Sequence, residues 1–242
     1  EWLVPFSGRD PGLFHLLALL PTISPPFIFG LSFIMLLGRR GLITHGLLGM
    51  STGALYGLPG LMIAQLLGFF PFAYLLLRNL LLGLDPALEE AATTLGAGRW
   101  QVFRTVTLPI LATGLASAFL LLFIYSLTDL GNPLVIGGDY TVMASQIYLA
   151  IIGQYNLPLG TTLAILLLVP STLLFLAQKA LERRSTFATV TGKPSGAPRR
   201  MAERWVVIPG AAFCSVVVIG ILSVYLTMFA GAATRLWGVD YQ

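Results

Sequence analysis

Residues 108–127 of the chain read LPILATGLASAFLLLFIYSL, a run of twenty residues without an Asp, Glu, Lys or Arg. About 20 apolar residues of helix are needed to cross a hydrocarbon core of ~30 Å. Four further charge-free stretches of the sequence are long enough to contain a span. The five predicted spans are Leu13–Leu37, Leu55–Leu77, Leu108–Leu127, Thr161–Ala177 and Trp205–Phe229. The sequence therefore predicts an all-α, polytopic transmembrane helix bundle.

The composition of the whole chain agrees with a membrane protein. Charged residues make up 10% of the 242 residues, hydrophobic residues make up 56%, and the mean hydropathy is +0.85. Soluble domains carry roughly 25% charged residues. The helices of a soluble core rarely run about 20 residues without a charge. A very apolar soluble helical protein is therefore the weaker interpretation.

The basic residues predict which loops face the cytoplasm, because Lys and Arg prefer the cytoplasmic side of short loops. If 1–12, 78–107 and 178–204 are inside, eleven of the 14 basic residues are cytoplasmic, and only Arg39, Arg40 and Arg235 face out. The opposite orientation leaves three inside. We therefore predict that these three segments are cytoplasmic, with Arg39-Arg40 as a local exception. Basic residues beside spans indicate membrane orientation rather than nucleic-acid binding.

Side chains that could form a catalytic, cofactor or metal site are sparse in this sequence. His15 and His45 are far apart, and the single Cys214 lies inside a predicted span. The nearest match to a phosphate-binding loop, Gly192-Lys193-Pro194, lacks the hydroxyl residue and the upstream glycine that bind phosphate. We therefore predict no catalytic residue, no metal and no bound cofactor, and expect that the chain is not an enzyme.

Two other classes of membrane protein fit this sequence less well. An ion-coupled secondary transporter normally carries ionisable residues within its spans. The predicted spans have none, and Gln65 is the only large amide in the middle of one. A membrane-embedded enzyme needs a cluster of His, Cys, Asp or Glu, and the sequence offers no such constellation. Both classes are disfavoured.

The loop between the second and third predicted spans contains a short amphipathic helix. Asp85 is a good N-cap, and Pro86 fits the first helical position, where the missing N–H costs nothing. Gly96 suits the left-handed residue that ends a helix, so we expect it to have a positive φ. A second helix can then run from Arg99 to Leu108-Pro109. The residues that fall on one apolar face at helical spacing are Leu88, Ala91, Ala92 and Leu95.

The polar face of this short helix is acidic, because it carries Glu89 and Glu90. An acidic face is poorly suited to lie on an anionic membrane surface. The apolar face is kept small by its alanines, which lets a helix or a groove of another protein approach closely. We therefore expect this loop to contact a partner protein.

The same loop resembles a cytoplasmic motif of the permease subunits of binding-protein-dependent ABC importers. The motif is Glu-Ala-Ala, three residues, Gly, nine residues, then Ile-x-Leu-Pro. Every spacing is kept here, and the one departure is a Val in place of the Ile. The matching residues are Glu90, Ala91, Ala92, Gly96, Val106, Leu108 and Pro109.

The resemblance implies a mechanism and a set of partners. In this family the first short helix of the motif docks into a groove on a separate ATPase subunit. Two such ATPases close together on binding ATP, and the docked helices carry that movement to the spans. A periplasmic or lipoprotein solute-binding protein delivers the cargo. The implied location is the bacterial inner membrane, as a multi-pass permease in contact with the lipid bilayer.

The resemblance extends beyond the loop, to permeases for ferric iron and the related 2-aminoethylphosphonate systems. It rests on Asp129-Leu130-Gly131-Asn132-Pro133, Gly137-Gly138, the segment to Asn156 and Thr191-Gly192-Lys193. Ferric iron is the expected cargo, with 2-aminoethylphosphonate or another small solute as the alternative.

Those permeases contain two copies of a roughly six-span unit in one chain. By analogy, residues 1–178 form the later part of a first unit, with a coupling loop at 78–107 and an outward segment at 128–160. Residues 179–204 form a basic cytoplasmic linker, and 205–242 begin a second unit. The chain is expected to be a fragment of such a two-unit protein.

The outward segment also permits a plain structural interpretation. Asp129 follows a span and precedes Gly131-Asn132-Pro133, so its side chain is expected to cap a turn. Residues 141–152 can form a short surface helix with Met143, Ile147 and Ile151 on one face. A gate or a contact with the binding protein is the functional alternative for this segment.

Overall fold

The computed structural model describes residues 13–25, 27–50, 53–82, 86–189 and 204–234. Within these ranges the chain is helical, with no β-strand. The helices are α1 Leu13–Leu19, α2 Phe27–Leu37, α3 Leu58–Leu82, α4 Pro86–Thr94, α5 Arg99–Val102, α6 Leu108–Thr128, α7 Gly131–Ile136, α8 Met143–Tyr148, α9 Leu157–Thr189 and α10 Arg204–Ala233. A 3₁₀ turn extends α1 through Leu20–Ile23, and π-helical turns occupy Leu42–Leu47, Phe103–Thr107 and Leu149–Gly153.

Four helical stretches are long and apolar enough to cross a membrane. They are Phe27–Leu47, Leu58–Leu80, Leu157–Arg183 and Ile208–Ala233. A fifth span is formed if Trp100–Ala112 and Gly114–Thr128, which meet at a bend of 44°, cross together. This architecture confirms the predicted all-α polytopic bundle.

The first predicted span, Leu13–Leu37, is wrong as a single continuous helix. The structure breaks it after Ile23, and Ser24 has extended backbone with ψ of 145°. The cause is proline, which removes a backbone donor and disfavours helical conformation in the residue before it. Tyr225 of α10 lies at the break, where its hydroxyl donates a hydrogen bond of 2.9 Å to the Leu20 carbonyl. The freed backbone is thereby partly satisfied, as a hydrocarbon environment requires.

The core of the bundle joins α2, α3 and α10. Phe29, Ala64, Ile221 and Val224 are all buried in one apolar cluster. Ser32 of α2 donates a hydrogen bond of 3.1 Å to the Val224 carbonyl. Helix α10, which lies in the segment predicted to begin a second unit, therefore packs on the helices that precede it. Its assignment to a second unit stays a prediction.

Helices α6 and α9 form a second packed pair. Gln178 of α9 is 3% exposed, and its Nε2 donates to the Ser117 hydroxyl of α6 over 3.3 Å. Helix α9 continues to Thr189, so the first part of the predicted linker 179–204 is helical, and the linker itself stays a prediction. Ala, Leu, Glu and Arg after residue 179 are good helix formers, which explains the extension. Residues 190–203 of that linker lie outside the described ranges.

The two ends of the bundle differ in the short helix that lies at each, α4 at one end and α7 at the other. Helix α3 has 25 residues and is therefore about 37 Å long. Its last residue precedes α4, whereas the turn before it hydrogen-bonds α7 through Gly57 N and Ile136 O at 2.9 Å. We call the end that carries α4 the inner end and the end that carries α7 the outer end. The inner end is the one that the basic residues predict to be cytoplasmic.

This orientation can be tested with single cysteines in a background in which Cys214 is replaced by Ala. Thr94 is exposed at the inner end, and Tyr155 is 87% exposed just before α9 at the outer end. We expect Tyr155→Cys to react with an impermeant maleimide in intact cells and Thr94→Cys to react only after permeabilisation. Labelling of Thr94→Cys from outside would reverse the predicted orientation.

Candidate functional site

Helix α4 begins and ends where the sequence predicts. It starts at Pro86, while the predicted N-cap Asp85 lies outside the described residues. At its other end, Ala97 N donates to Ala92 O over 3.1 Å and Gly96 N donates to Thr93 O over 3.0 Å. This pair of bonds is a Schellman motif, which satisfies the last carbonyls of a helix.

Gly96 has the positive φ that the sequence predicts, at 86°. A Cβ built on Gly96 would meet no atom within 4 Å. The position therefore requires glycine because of its backbone conformation and not for lack of space. Any L-residue with a branched Cβ would be strained there.

A hydrogen bond links α4 to the turn that precedes α6. The Thr107 hydroxyl donates a hydrogen bond of 2.6 Å to Glu89 Oε1, across 18 residues of sequence. Glu89 and Ala92 are half-buried on the side of α4 that faces α5 and the turn 103–107. Val102 of α5 is 5% exposed and anchors the same region. The Glu89–Thr107 bond therefore links α4 to the residue that immediately precedes α6.

The loop also presents apolar side chains to solvent. Leu88 is 49% exposed, Leu95 is 89% exposed and Trp100 is 72% exposed. The rings of Trp100 and Phe103 stack with centroids 5.5 Å apart. Glu90 is also exposed, on the acidic face of α4. We call Leu88, Leu95, Trp100 and Phe103 the α4 surface; such a surface is typical of a protein-docking site.

The structure places all seven predicted motif residues in this loop or at the start of α6. Glu90 and Ala91 are exposed, and Ala92 is half-buried. Gly96 ends α4, Val106 is half-buried in the π-helical turn, and Leu108 and Pro109 are exposed at the first turn of α6. Sequence reasoning missed the Glu89–Thr107 bond and the exposure of Trp100. No local sequence pattern links residues 89 and 107. The exposure of Trp100 could have been indicated by the presence of a Trp in a polar loop.

A second group of polar residues lies at the outer end. Asp129 is 6% exposed and Asn132 is 1% exposed. Asn132 N donates to Asp129 Oδ1 over 3.4 Å, which confirms that Asp129 caps the turn into α7. Residues 141–152 contain the expected short helix, α8, which packs against α9 and α6. Sequence reasoning did not find that Gln65 of α3 also reaches Asp129, over 3.0 Å.

Comparison with known proteins gives the class of this chain. Residues 12–187 match the family described as "binding-protein-dependent transport system inner membrane component". The ferric transport system permease protein of Actinobacillus pleuropneumoniae is 36% identical over 246 residues, covering 97% of this chain and 35% of that protein. A putative ferric transport system permease protein of Haemophilus influenzae is also 36% identical, covering 97% of this chain and 38% of that protein.

A more distant relative is the molybdenum transport system permease protein of Escherichia coli, 35% identical over 53% of this chain and 58% of that protein. The chain belongs to the family of inner-membrane components of binding-protein-dependent transport systems, and it is a component of the bacterial inner membrane. It spans somewhat more than a third of the length of the two ferric relatives.

Proposed function

We propose that this chain is part of the permease of an ATP-driven importer and that α4 docks on a separate ATPase subunit. The observation that carries the proposal is the α4 surface, which is apolar, exposed and held by Glu89 to the start of a span. ATP hydrolysis then belongs to the partner, and this chain transmits its movement without an active site of its own. A solute-binding protein on the outer side completes the system that the family description names.

We propose ferric iron as the cargo, because the two relatives that cover 97% of this chain are named as ferric transport permeases. Within the described part of the chain, no three His, Cys, Asp or Glu side chains lie together. A hard ferric ion needs several oxygen ligands held together, so capture and selectivity are assigned to the binding protein. The two-unit arrangement, with a linker before 205–242, is proposed on the same similarity.

The docking role of α4 can be tested by co-purification of the full-length permease with its ATPase. Leu95→Asp places a charge on the α4 surface, and since Leu95 is 89% exposed it removes little packing within this chain. We expect at least a tenfold loss of co-purified ATPase, because a buried, unpaired charge costs several kcal/mol at an interface. Tyr155→Asp, at a residue 87% exposed at the outer end, is the matched control and should retain the ATPase.

The cargo is tested by growth of a strain that lacks its own ferric importer. The full-length system should restore growth on limiting iron only when its binding protein is present. Rescue on 2-aminoethylphosphonate but not on iron would change the assigned cargo to the alternative and leave the importer assignment standing.

In the co-purification test, equal retention of ATPase by Leu95→Asp and Tyr155→Asp would contradict the docking role of α4.

A further inference from the structure

A buried carboxylate at the outer end has no role in the docking surface. Asp129 follows the last residue of α6 and is 6% exposed in a part of the chain surrounded by apolar helices. An ionisable residue that is buried in the protein is costly, because the interior does not solvate its charge as water does. Buried charges persist where they are hydrogen-bonded, and they often mark function. The partners of Asp129 therefore decide what it does.

Asp129 accepts its hydrogen bonds from amide groups. Gln65 Nε2 donates to Oδ2 over 3.0 Å, Asn132 Nδ2 donates to Oδ2 over 2.9 Å, and Asn132 N donates to Oδ1 over 3.4 Å. Within the described residues, no Lys or Arg forms an ion pair with it. All of these donors bond a carboxylate of the protein itself. Gln65, Asp129 and Asn132 therefore link elements within the chain and do not form a vacant cation site.

The same hydrogen bonds continue into neighbouring elements. Asn132 Oδ1 accepts a bond of 3.2 Å from Gly30 N in the first turns of α2. Gln65 Oε1 accepts a bond of 2.7 Å from the Ser126 hydroxyl of α6. We call Gln65, Ser126, Asp129 and Asn132 the outer polar cluster. It fastens α2, α3 and α6 to the short helix α7.

Helix α3 connects this cluster to the inner end. Gln65 lies in its first half, and the helix ends at Leu82, just before α4. A movement of α4 that displaces α3 therefore acts on the Gln65–Asp129 bond. Asn132 and Ile136 of α7 are 1% and 0% exposed, so α7 fills the space between α2 and α3 at the outer end.

We propose that Asp129 is a positioning residue for transport, whose bond to Gln65 holds α7 against α3 and keeps the outer end closed until the ATPase acts. The inference rests on the proposed function, because it requires a transporter that alternates between two states. A bond that exists in one state only shifts the equilibrium toward that state by its own free energy. Hydrogen bonds to charged groups are strong enough to shift such an equilibrium on the order of tenfold.

The test uses the full-length transporter, reconstituted with its ATPase and assayed with and without its binding protein. Gln65→Met keeps the length of the side chain and removes its bonds to Asp129 and Ser126. We expect ATP hydrolysis without binding protein to rise on the order of tenfold. The reason is that the Gln65–Asp129 bond no longer stabilises the closed state relative to the open state. The matched control is Gln178→Met, which removes a buried interhelical amide bond on the other side of α6.

A merely structural role predicts a different pattern. Gln65→Met and Gln178→Met would then both lower the melting temperature, and neither would raise hydrolysis in the absence of the binding protein. A second pair of variants is made at the acceptor itself. Asp129→Leu removes the oxygen that accepts from Gln65 Nε2, whereas Asp129→Asn keeps an amide oxygen that can accept the same bond. We expect Asp129→Asn to depend on the binding protein, whereas Asp129→Leu should not.

Unstimulated hydrolysis that stays low in Gln65→Met, or that rises equally in Gln178→Met, would overturn the inference. The inference is also overturned if Asp129→Asn and Asp129→Leu hydrolyse ATP equally without the binding protein. These results leave the proposed function intact, since the wild-type transporter still responds to its binding protein. A wild-type transporter without that response contradicts the proposed function and, with it, this inference.

Discussion

Replacing Gly96 with Val is expected to reduce transport on the order of tenfold while the chain still inserts into the membrane. Gly96 has a φ of 86°, and a residue with a branched Cβ is strained there by about 1–2 kcal/mol. Relief of that strain unwinds the Schellman motif and displaces Leu95 and the helix that follows. A population shift of 1.4 kcal/mol is a factor of ten. The measurement is the uptake rate, normalised to the amount of permease in the membrane.

Two controls separate backbone strain from added bulk. A Cβ on Gly98 also meets no atom within 4 Å, and Gly98 has no positive φ, so Gly98→Val should transport normally. Gly96→Asn should retain most of the activity, because Asn tolerates the left-handed conformation better than Val. If Gly96→Val and Gly98→Val transport equally well, the conformation of Gly96 has no part in coupling.

Gly60→Ala is expected to have the largest effect on stability. A Cβ at Gly60 would overlap the Leu55 carbonyl oxygen and would lie 2.9 Å from Ile136 Cδ1. The first neighbour is backbone and Ile136 is fully buried, so the turn before α3 or helix α7 has to move. Overpacking of this kind costs about 1–3 kcal/mol, occasionally more. The measurement is the melting temperature of the purified full-length permease, which should fall.

Gly68→Ala is the matched control on the same helix. Its Cβ would lie 3.5 Å from Phe29 Cδ2, which is an ordinary van der Waals contact. Since alanine is also the better helix former by about 0.5–1 kcal/mol, the melting temperature should stay the same or rise. If Gly68→Ala lowers the melting temperature as much as Gly60→Ala does, the close contacts at Gly60 are not the cause of the loss.

Much of the α4 loop could be predicted because its determinants are local. Proline at the first helical position and glycine at the left-handed end act within one helical turn of the residue concerned. The motif spacing from Glu90 to Pro109 follows from the same short segment. The exposure of Leu95 and Trp100 could not be predicted, because exposure depends on which other elements cover a residue.

The sequence by itself determined the all-α class, most of the spans and the limits of α4. A charge-free run of about 20 residues is stable in a bilayer as a membrane-spanning helix. The free energy of its insertion comes from the residues of that run and not from distant parts of the chain. Only the tertiary structure decided the break in the first span, the Glu89–Thr107 bond and the Gln65–Asp129 bond. The two bonds join residues 18 and 64 positions apart, and the break is stabilised by Tyr225 from the last helix. Such pairs form only after the helices have packed, because a polar group in an apolar bundle bonds whichever partner the packing brings within reach.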